Sequence, residues 1–274
     1  MAKKFDGVVI FSDFDNTLTY KGSMSGTCKH FNINPNNYEA VKYFTQNGGK
    51  FIMATGRNYN ELLFLLDKMP MYEVAICTNG TLYNLKTNEE YLSVELEDDF
   101  IETVAKDLFS KFDIRHCRIV DGDYNNCEWN KTESGISFFE HAKIHDKKPY
   151  HKLTFSGDGD VKYIKNLYTY LKNKYKDEYT VECSAPDFME LYAKGGGKKN
   201  AIRELVKRIG DVKKIICVGD QENDIPMLEI ADVGVCVANG AQRAKDVASV
   251  ICTTNEEGAI ADVVRMLEEG IIKT

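Results

Sequence analysis

The sequence predicts an α/β protein, with a parallel-sheet core interrupted by an inserted α+β domain. Three observations carry this. Short apolar runs alternate with helical stretches near both ends of the chain, the β-α-β pattern of a parallel sheet with helices on its faces. Several of these runs end in polar clusters, where an open parallel sheet gathers its ligands. Between the two ends lies a long block with more alternation and more hairpins, which reads as a separate domain.

Val8 to Phe11 is the first buried-strand candidate, bounded by Gly7 and by polar residues. A polar loop follows, then a short helical stretch from Tyr38 to Gln46 that Gly48-Gly49 closes. Phe51 to Ala54 is a second strand, running into Thr55-Gly56-Arg57. Asn58 and Glu61 have the spacing of a helix-capping pair, and Leu62, Leu63, Leu65, Leu66 and Met69 supply an apolar helix face. Val74 to Cys77 is a third strand, ending at Thr78-Asn79-Gly80.

The pattern changes near Leu82. A hairpin is expected over 83–97 around Lys86-Thr87-Asn88, then an amphipathic helix over 98–112 and extended stretches near 114–120 and 124–129. Another strand is expected over 152–156, a helix over 161–175, and paired strands over 180–183 and 188–192. The first pattern returns with a helix from Lys198 to Ile209 and a strand from Lys214 to Val218 that ends at Gly219-Asp220-Gln221-Glu222-Asn223-Asp224. Strand, helix, strand and helix complete the chain, over 233–237, 241–247, 250–252 and 256–267. The expected division is residues 1–82 with 187–274 as the core, and 83–186 as the insertion.

At 274 residues, 43% apolar and 28% charged, the chain has the composition of a soluble globular protein. Its longest apolar run is Leu62 to Leu66, far short of the roughly 20 residues a membrane span needs. Met-Ala-Lys-Lys-Phe-Asp lacks the apolar stretch of a signal peptide. The eight cysteines form no Cys-x-x-Cys, and several sit inside strand-like runs, as buried thiols in a reducing cytoplasm would. The net charge of −7 argues against a nucleic-acid backbone as partner. Oligomeric state is not legible.

Asp13 and Asp15 stand two residues apart just past the first strand. Like charges that close are unfavourable unless a cation or a proton shares them. Asp-Asn-Thr is also ordinary turn material, so the pair alone decides nothing. But Thr55, Lys198, and Asp220 with Asn223 and Asp224 also fall after strands or at a helix start, and a parallel sheet brings such positions to one edge. Carboxylates, a lysine and a hydroxyl suit Mg²⁺, which takes oxygen ligands, and phosphoryl transfer, which needs alignment and charge neutralisation.

Other motifs carry less. Asp121-Gly122-Asp123-Tyr124-Asn125 starts like a calcium loop but has Asn126 where glycine is needed and Thr132 where glutamate is needed. The glycines before Lys198 lack the Ser/Thr of a phosphate loop. His141 and His145 are four apart with no third ligand evident.

Asp13-Phe14-Asp15-Asn16-Thr17-Leu18, Ala54-Thr55-Gly56-Arg57, Lys198 and Gly219-Asp220-Gln221-Glu222-Asn223-Asp224 resemble, in order, the four motifs of the haloacid dehalogenase superfamily. Asn79-Gly80 matches a further family feature, and the insertion is similar to the C2-type cap of the Cof-type phosphatases. Asn16 departs from the glycine more usual there, but Asn tolerates left-handed backbone. The resemblance implies a Rossmann-like core, a Mg²⁺ cofactor and a small phosphorylated metabolite as substrate. It also implies Asp13 as nucleophile, Asp15 as general acid and base, and Thr55 and Lys198 as further catalytic residues. Asn16, Thr17, Thr55, Gly56 and Lys198 would bind phosphate. Asp13, Asp15 (through its backbone carbonyl) and Asp220 would hold the metal, with Asn223 and Asp224 behind them. The role of Arg57 stays open.

A phosphatase, a phosphomutase and a phosphorylation-switched signalling module share much of this constellation. Only Arg115 and Arg118 supply arginine to the insertion, which disfavours a mutase, and Asp15 and the insertion itself disfavour a receiver-like module. Trp129, Tyr124, Glu128, His116 and Asp187 are the insertion's possible substrate contacts.

Overall fold

The computed structural model describes residues 3–20 and 32–273, so Cys28 lies outside the described residues. The chain divides into two compact units, Met1–Leu92 with Gly197–Thr274, and Ser93–Gly196.

In the first unit, β1 (Val8–Ser12) leads through a tight turn to β2 (Thr19–Tyr20), which pairs with β3 (Asn32–Ile33). α1 (Pro35–Gln46) follows, its first turn set by Pro35 and by the Asn34 side chain, which accepts the Asn36 N–H at 2.8 Å. β4 (Lys50–Met53) is followed by a one-turn segment, Tyr59–Glu61, and by α2 (Leu63–Leu66). The expected Asn58–Glu61 capping box forms, but the helix it opens is shorter than the apolar pattern suggested. β5 (Val74–Cys77), β6 (Thr81–Asn84) and β7 (Glu89–Leu92) form an antiparallel meander, with β5 bridged in parallel to the end of β4 through Ala54 and Ile76.

The second unit holds α3 (Lys106–Lys111), β8 (His116–Val120), β9 (Asn126–Asn130), α4 (Phe138–Ile144), β10 (Lys152–Ser156), α5 (Val161–Tyr175), β11 (Tyr179–Ala185) and β12 (Phe188–Ala193). The chain then returns to the first unit with α6 (Lys198–Ile209), β13 (Lys214–Gly219), α7 (Ile225–Ile230), β14 (Val233–Val237), α8 (Gln242–Val247), β15 (Val250–Cys252) and α9 (Ala259–Glu268).

The core sheet is parallel throughout, in the order β15-β14-β13-β1-β4. Successive strands therefore run outward in both directions from β1, and the order reverses between β1 and β13. Loops diverge at such a switch point and leave a crevice beyond the strands' carboxyl ends. The strand period of two sends Val9 and Phe11 to one face, where they pack with Ala201, Ile202 and Leu205 of α6, Met227 and Leu228 of α7, and Ala244 of α8. On the opposite face α1 lies against β4 and α9, and α9 against β15.

The second unit is a five-stranded antiparallel sheet, β11-β12-β10-β8-β9. Its apolar face packs Cys117, Ile119, Leu153, Phe155, Leu191 and Val181 against Leu108, Phe138, Ile164, Leu167 and Leu171 of the helices. The other face is polar, with Lys152 paired to Glu190 at 3.2 Å and Glu128 taking His116 at 2.6 Å and Arg118 at 3.6 Å.

Both boundaries of the insertion differ from those expected. Residues 83–92 belong to the first unit, because the hairpin β6–β7 continues the sheet begun by β5. Residues 187–196 belong to the second, because β12 is the inner neighbour of both β10 and β11. No helix among the described residues is long and apolar enough to cross a membrane. The seven described cysteines are free, and all but Cys183 are buried.

Candidate active site

Asp13 follows the last residue of β1, and its N–H donates to the Val218 carbonyl of β13 at 2.9 Å. Asp220 follows β13, and Ala54, just past β4, donates to the Ser12 carbonyl at 2.8 Å. Three neighbouring strands thus deliver Asp13, Thr55 and Asp220 to one sheet edge, at the switch point. Lys198 enters from the first position of α6 and is fully buried, its Nζ 2.5 Å from Asp13 Oδ1 and 2.6 Å from Asp224 Oδ1. Asp224 Oδ2 accepts the N–H groups of Asp220 and Gln221 at 2.8 and 3.1 Å. This packing leaves no room for a side chain at Gly219, where a Cβ would lie 2.5 Å from the Asp224 carboxyl carbon. Thr17 donates its hydroxyl to Asp220 Oδ1 at 3.3 Å.

Ligand atoms of Asp13, Asp220 and Asp224 lie within 4.8 Å of one another, all buried. Burial pushes the Asp13 carboxyl up to about 7, Lys198 opposing and Asp224 and Asp15 reinforcing. Asp220 is pushed well above the usual carboxylate range by burial, then by Asp13 and Asp224. Burial alone would lower Lys198, but the two carboxylates hold it above the ordinary lysine value. With all three carboxylates ionised, one ammonium would leave two negative charges in a buried group, which a divalent cation matches. Asp224 spends both oxygens on Lys198 and the backbone, so Asp13 and Asp220 are the carboxylates best able to turn to a cation. The residues present therefore fit Mg²⁺.

The Asp15 carboxylate is not in this group. Arg57 holds it by two bonds, Nε to Oδ2 at 2.7 Å and Nη2 to Oδ1 at 2.8 Å. The metal role expected for Asp15 runs through its backbone carbonyl and is untouched by this ion pair, while the Asp224 carboxylate, expected behind the ligands, joins Asp13 and Asp220 in the cluster. Asn16 has φ 57°, so the turn between β1 and β2 uses the left-handed conformation anticipated for it. The buried Thr55 hydroxyl accepts the Arg57 N–H at 3.1 Å, and Gly56 lies half-buried between them. Asn223 is buried beside Asp224.

Sequence reasoning gave Asn79 no role. Thr78 and Asn79 are consecutive residues with φ near 50–60°, at 51° and 57°. This turn lets Asn79 donate its N–H to the Thr55 carbonyl at 3.0 Å and accept the Gly197 N–H at 2.6 Å. Asn79 so clamps the Thr55 loop to the start of the lysine-bearing helix. The signal was the Thr-Asn-Gly at the strand end, a composition suited to positive φ.

Two suggested contacts in the second unit are overturned. Trp129 faces the apolar core and donates its indole N–H to the Ile136 carbonyl at 2.9 Å. Tyr124 is buried and stacked on His151 at 4.1 Å. Asp121 is a turn former that accepts the N–H groups of Asp123 and Asn125.

The model of the haloacid dehalogenase-like hydrolases matches residues 10–264, nearly the whole chain. The chain belongs to this family. As the motifs implied, this haloacid dehalogenase-like hydrolase is an enzyme, of the Cof-type phosphatases within the family. It is 26% identical over 263 residues to a Haemophilus influenzae protein with a provisional phosphatase name, covering 92% of this chain and 95% of that one. It is 24% identical over 239 residues to the 5-amino-6-(5-phospho-D-ribitylamino)uracil phosphatase of Bacillus subtilis, covering 85% and 88%. A solved sugar phosphatase of subclass IIB superposes with a TM-score of 0.72 at 21% identity, covering 97% of this chain and all of that one. At that identity the likeness establishes the fold, an α/β core with an inserted cap.

Proposed function

We propose that this hydrolase is a Mg²⁺-dependent phosphatase of small phosphorylated metabolites, sugar phosphates foremost, acting through an aspartyl-phosphate on Asp13. The observation that carries the reading is the buried group of Asp13, Asp220 and Asp224 around Lys198, at the switch point of a parallel sheet. The sugar-phosphate preference draws on the solved sugar phosphatase of the same fold.

Asp13 attacks phosphorus and Lys198 offsets charge on nucleophile and phosphoryl group. Asp13, Asp220 and the Asp15 backbone carbonyl would hold Mg²⁺, which when bound supplies charge neutralisation and keeps Asp13 ionised. Thr55 and the N–H groups around Asn16 and Thr17 orient the phosphoryl oxygens. Asp15 protonates the leaving alkoxide, then takes a proton from the water that hydrolyses the intermediate. Asp224 fixes Lys198 and the Asp220 turn. The cap unit selects the substrate, with His116, Arg118 and Glu128 of its polar sheet face as candidates, and the buried free cysteines support a cytoplasmic setting.

The test is phosphate release across sugar, nucleotide and cofactor phosphates, with Mg²⁺ and after chelation. Mg²⁺-dependent turnover of one class, lost in Asp13→Asn, is expected. Full activity in chelator, or in Asp13→Asn, would remove the reading.

A further inference from the structure

Arg57 lies outside the lysine-centred group, yet its guanidinium is built into the site on three sides. Its Nε and Nη2 engage both oxygens of Asp15, and its Nη1 donates to Glu61 Oε1 at 3.2 Å. The other Glu61 oxygen accepts the Asn58 N–H at 3.0 Å, so this carboxylate is anchored to the backbone immediately after Arg57. The Arg57 guanidinium also sits 5.4 Å over the ring of Phe14, the residue between the two aspartates. The Arg57 N–H is in turn tied to the Thr55 hydroxyl.

A two-bond fork fixes the plane of a carboxylate as well as its place, which a single ammonium contact does not. The rest of the site holds Asp13 through Lys198 and Asp220 through Thr17. Asp15 therefore takes its orientation from a chain that runs Asn58 backbone, Glu61, Arg57, Asp15, separate from the groups that hold the nucleophile.

We propose that Arg57 is the positioning residue for Asp15 and that Glu61 steadies Arg57, so that this relay serves proton transfer at the leaving group and not attack on phosphorus. The proposal rests on the phosphatase reading. It predicts a loss that depends on the leaving group. An alkyl alkoxide needs a proton as it departs, whereas p-nitrophenolate leaves with little help.

The experiment measures the first step by rapid mixing, with a sugar phosphate and with p-nitrophenyl phosphate, in wild type, Arg57→Ala, Arg57→Lys, Glu61→Gln and Asp13→Asn. Arg57→Ala should lower the first-step rate on the sugar phosphate by roughly 10- to 100-fold, less than the roughly 10²–10⁴-fold of full general-acid assistance because Asp15 itself remains, and on the aryl phosphate by less than about 3-fold. The loss should fall on kcat more than on KM. Arg57→Lys should recover part of the rate, Glu61→Gln should show a smaller loss of the same selectivity, and added guanidinium ion should restore Arg57→Ala. Equal loss on both leaving groups in a variant that melts like wild type overturns the proposal, as does an unchanged sugar-phosphate rate. If Arg57→Ala does not fold, Glu61→Gln and Arg57→Lys decide by the same ratio. Phosphate release by wild type and its absence in Asp13→Asn show that the phosphatase reading stands independently; no release by wild type overturns both.

Discussion

Asp13 and Asp15 are two residues apart and answer to different cations, Lys198 for the first and Arg57 for the second. That division gives two carboxylates of one motif two environments, the arrangement in which a nucleophile and an acid–base group coexist. Asp13→Asn should abolish both chemical steps. Asp15→Asn should spare attack but leave alkyl groups without a proton and the intermediate without a base. With p-nitrophenyl phosphate, rapid mixing of Asp15→Asn should show an initial burst of product followed by turnover slowed by about 10²–10⁴-fold. A burst from Asp13→Asn, or normal sugar-phosphate turnover by Asp15→Asn, would reverse the assignment. Both aspartates, Thr55, Lys198 and Asp220 were legible in the sequence because each follows an apolar run or opens a helix, a local signal. Their partners were not, since the Arg57–Asp15 fork spans 42 positions and the Lys198–Asp13 pair 185. Which of several cations a carboxylate meets is settled only by tertiary approach.

The strand-to-turn elements do the positioning. After β13 the Asp224 carboxylate folds back over Gly219 to accept two backbone N–H groups, and only glycine permits that approach. A methyl there must displace buried backbone or the carboxylate that anchors Lys198. Gly219→Ala should therefore destabilise the protein by about 1–3 kcal/mol in urea unfolding and lower kcat. In the cap unit, β9 illustrates a signal that was present but misread. Asn126-Cys127-Glu128-Trp129-Asn130 alternates, which puts Cys127 and Trp129 on one face and Glu128 on the other. Trp129→Ala should cost about 3–5 kcal/mol of stability, as a large core truncation. Glu128→Ala, exposed on the polar face, should leave the midpoint nearly unchanged and shift the ranking of substrates. The reverse outcome, a stable Trp129→Ala with altered specificity, would contradict this placement. The boundaries of the insertion were harder to read, because the same hairpin sequence serves either unit and only its pairing with β5 decides.

For the molecule as a whole, a net charge of −7 and a buried acidic group pull in one direction, against holding an anionic substrate without a counter-cation. This ties stability to pH in a way that can be measured. Without a cation, the folded protein keeps a proton on Asp13 up to about pH 7, whereas the unfolded chain releases it near 3.8. The folded-state value is the raised one, so its contribution to stability is fully present below the unfolded value and is lost as pH rises through the folded value. Asp220, raised in the same direction, adds to the effect. A cation among these carboxylates competes with the protons and relieves the repulsion that replaces them. Thermal melts in chelator should therefore show Tm falling between about pH 4 and pH 7, and the rise in Tm on adding Mg²⁺ should be larger at the upper end of that range. Asp13→Asn, which carries no titrating carboxyl, should flatten the chelator profile and weaken the Mg²⁺ response. A Mg²⁺-induced shift that is the same at both ends of the range, or undiminished in Asp13→Asn, would place the cation elsewhere on the molecule.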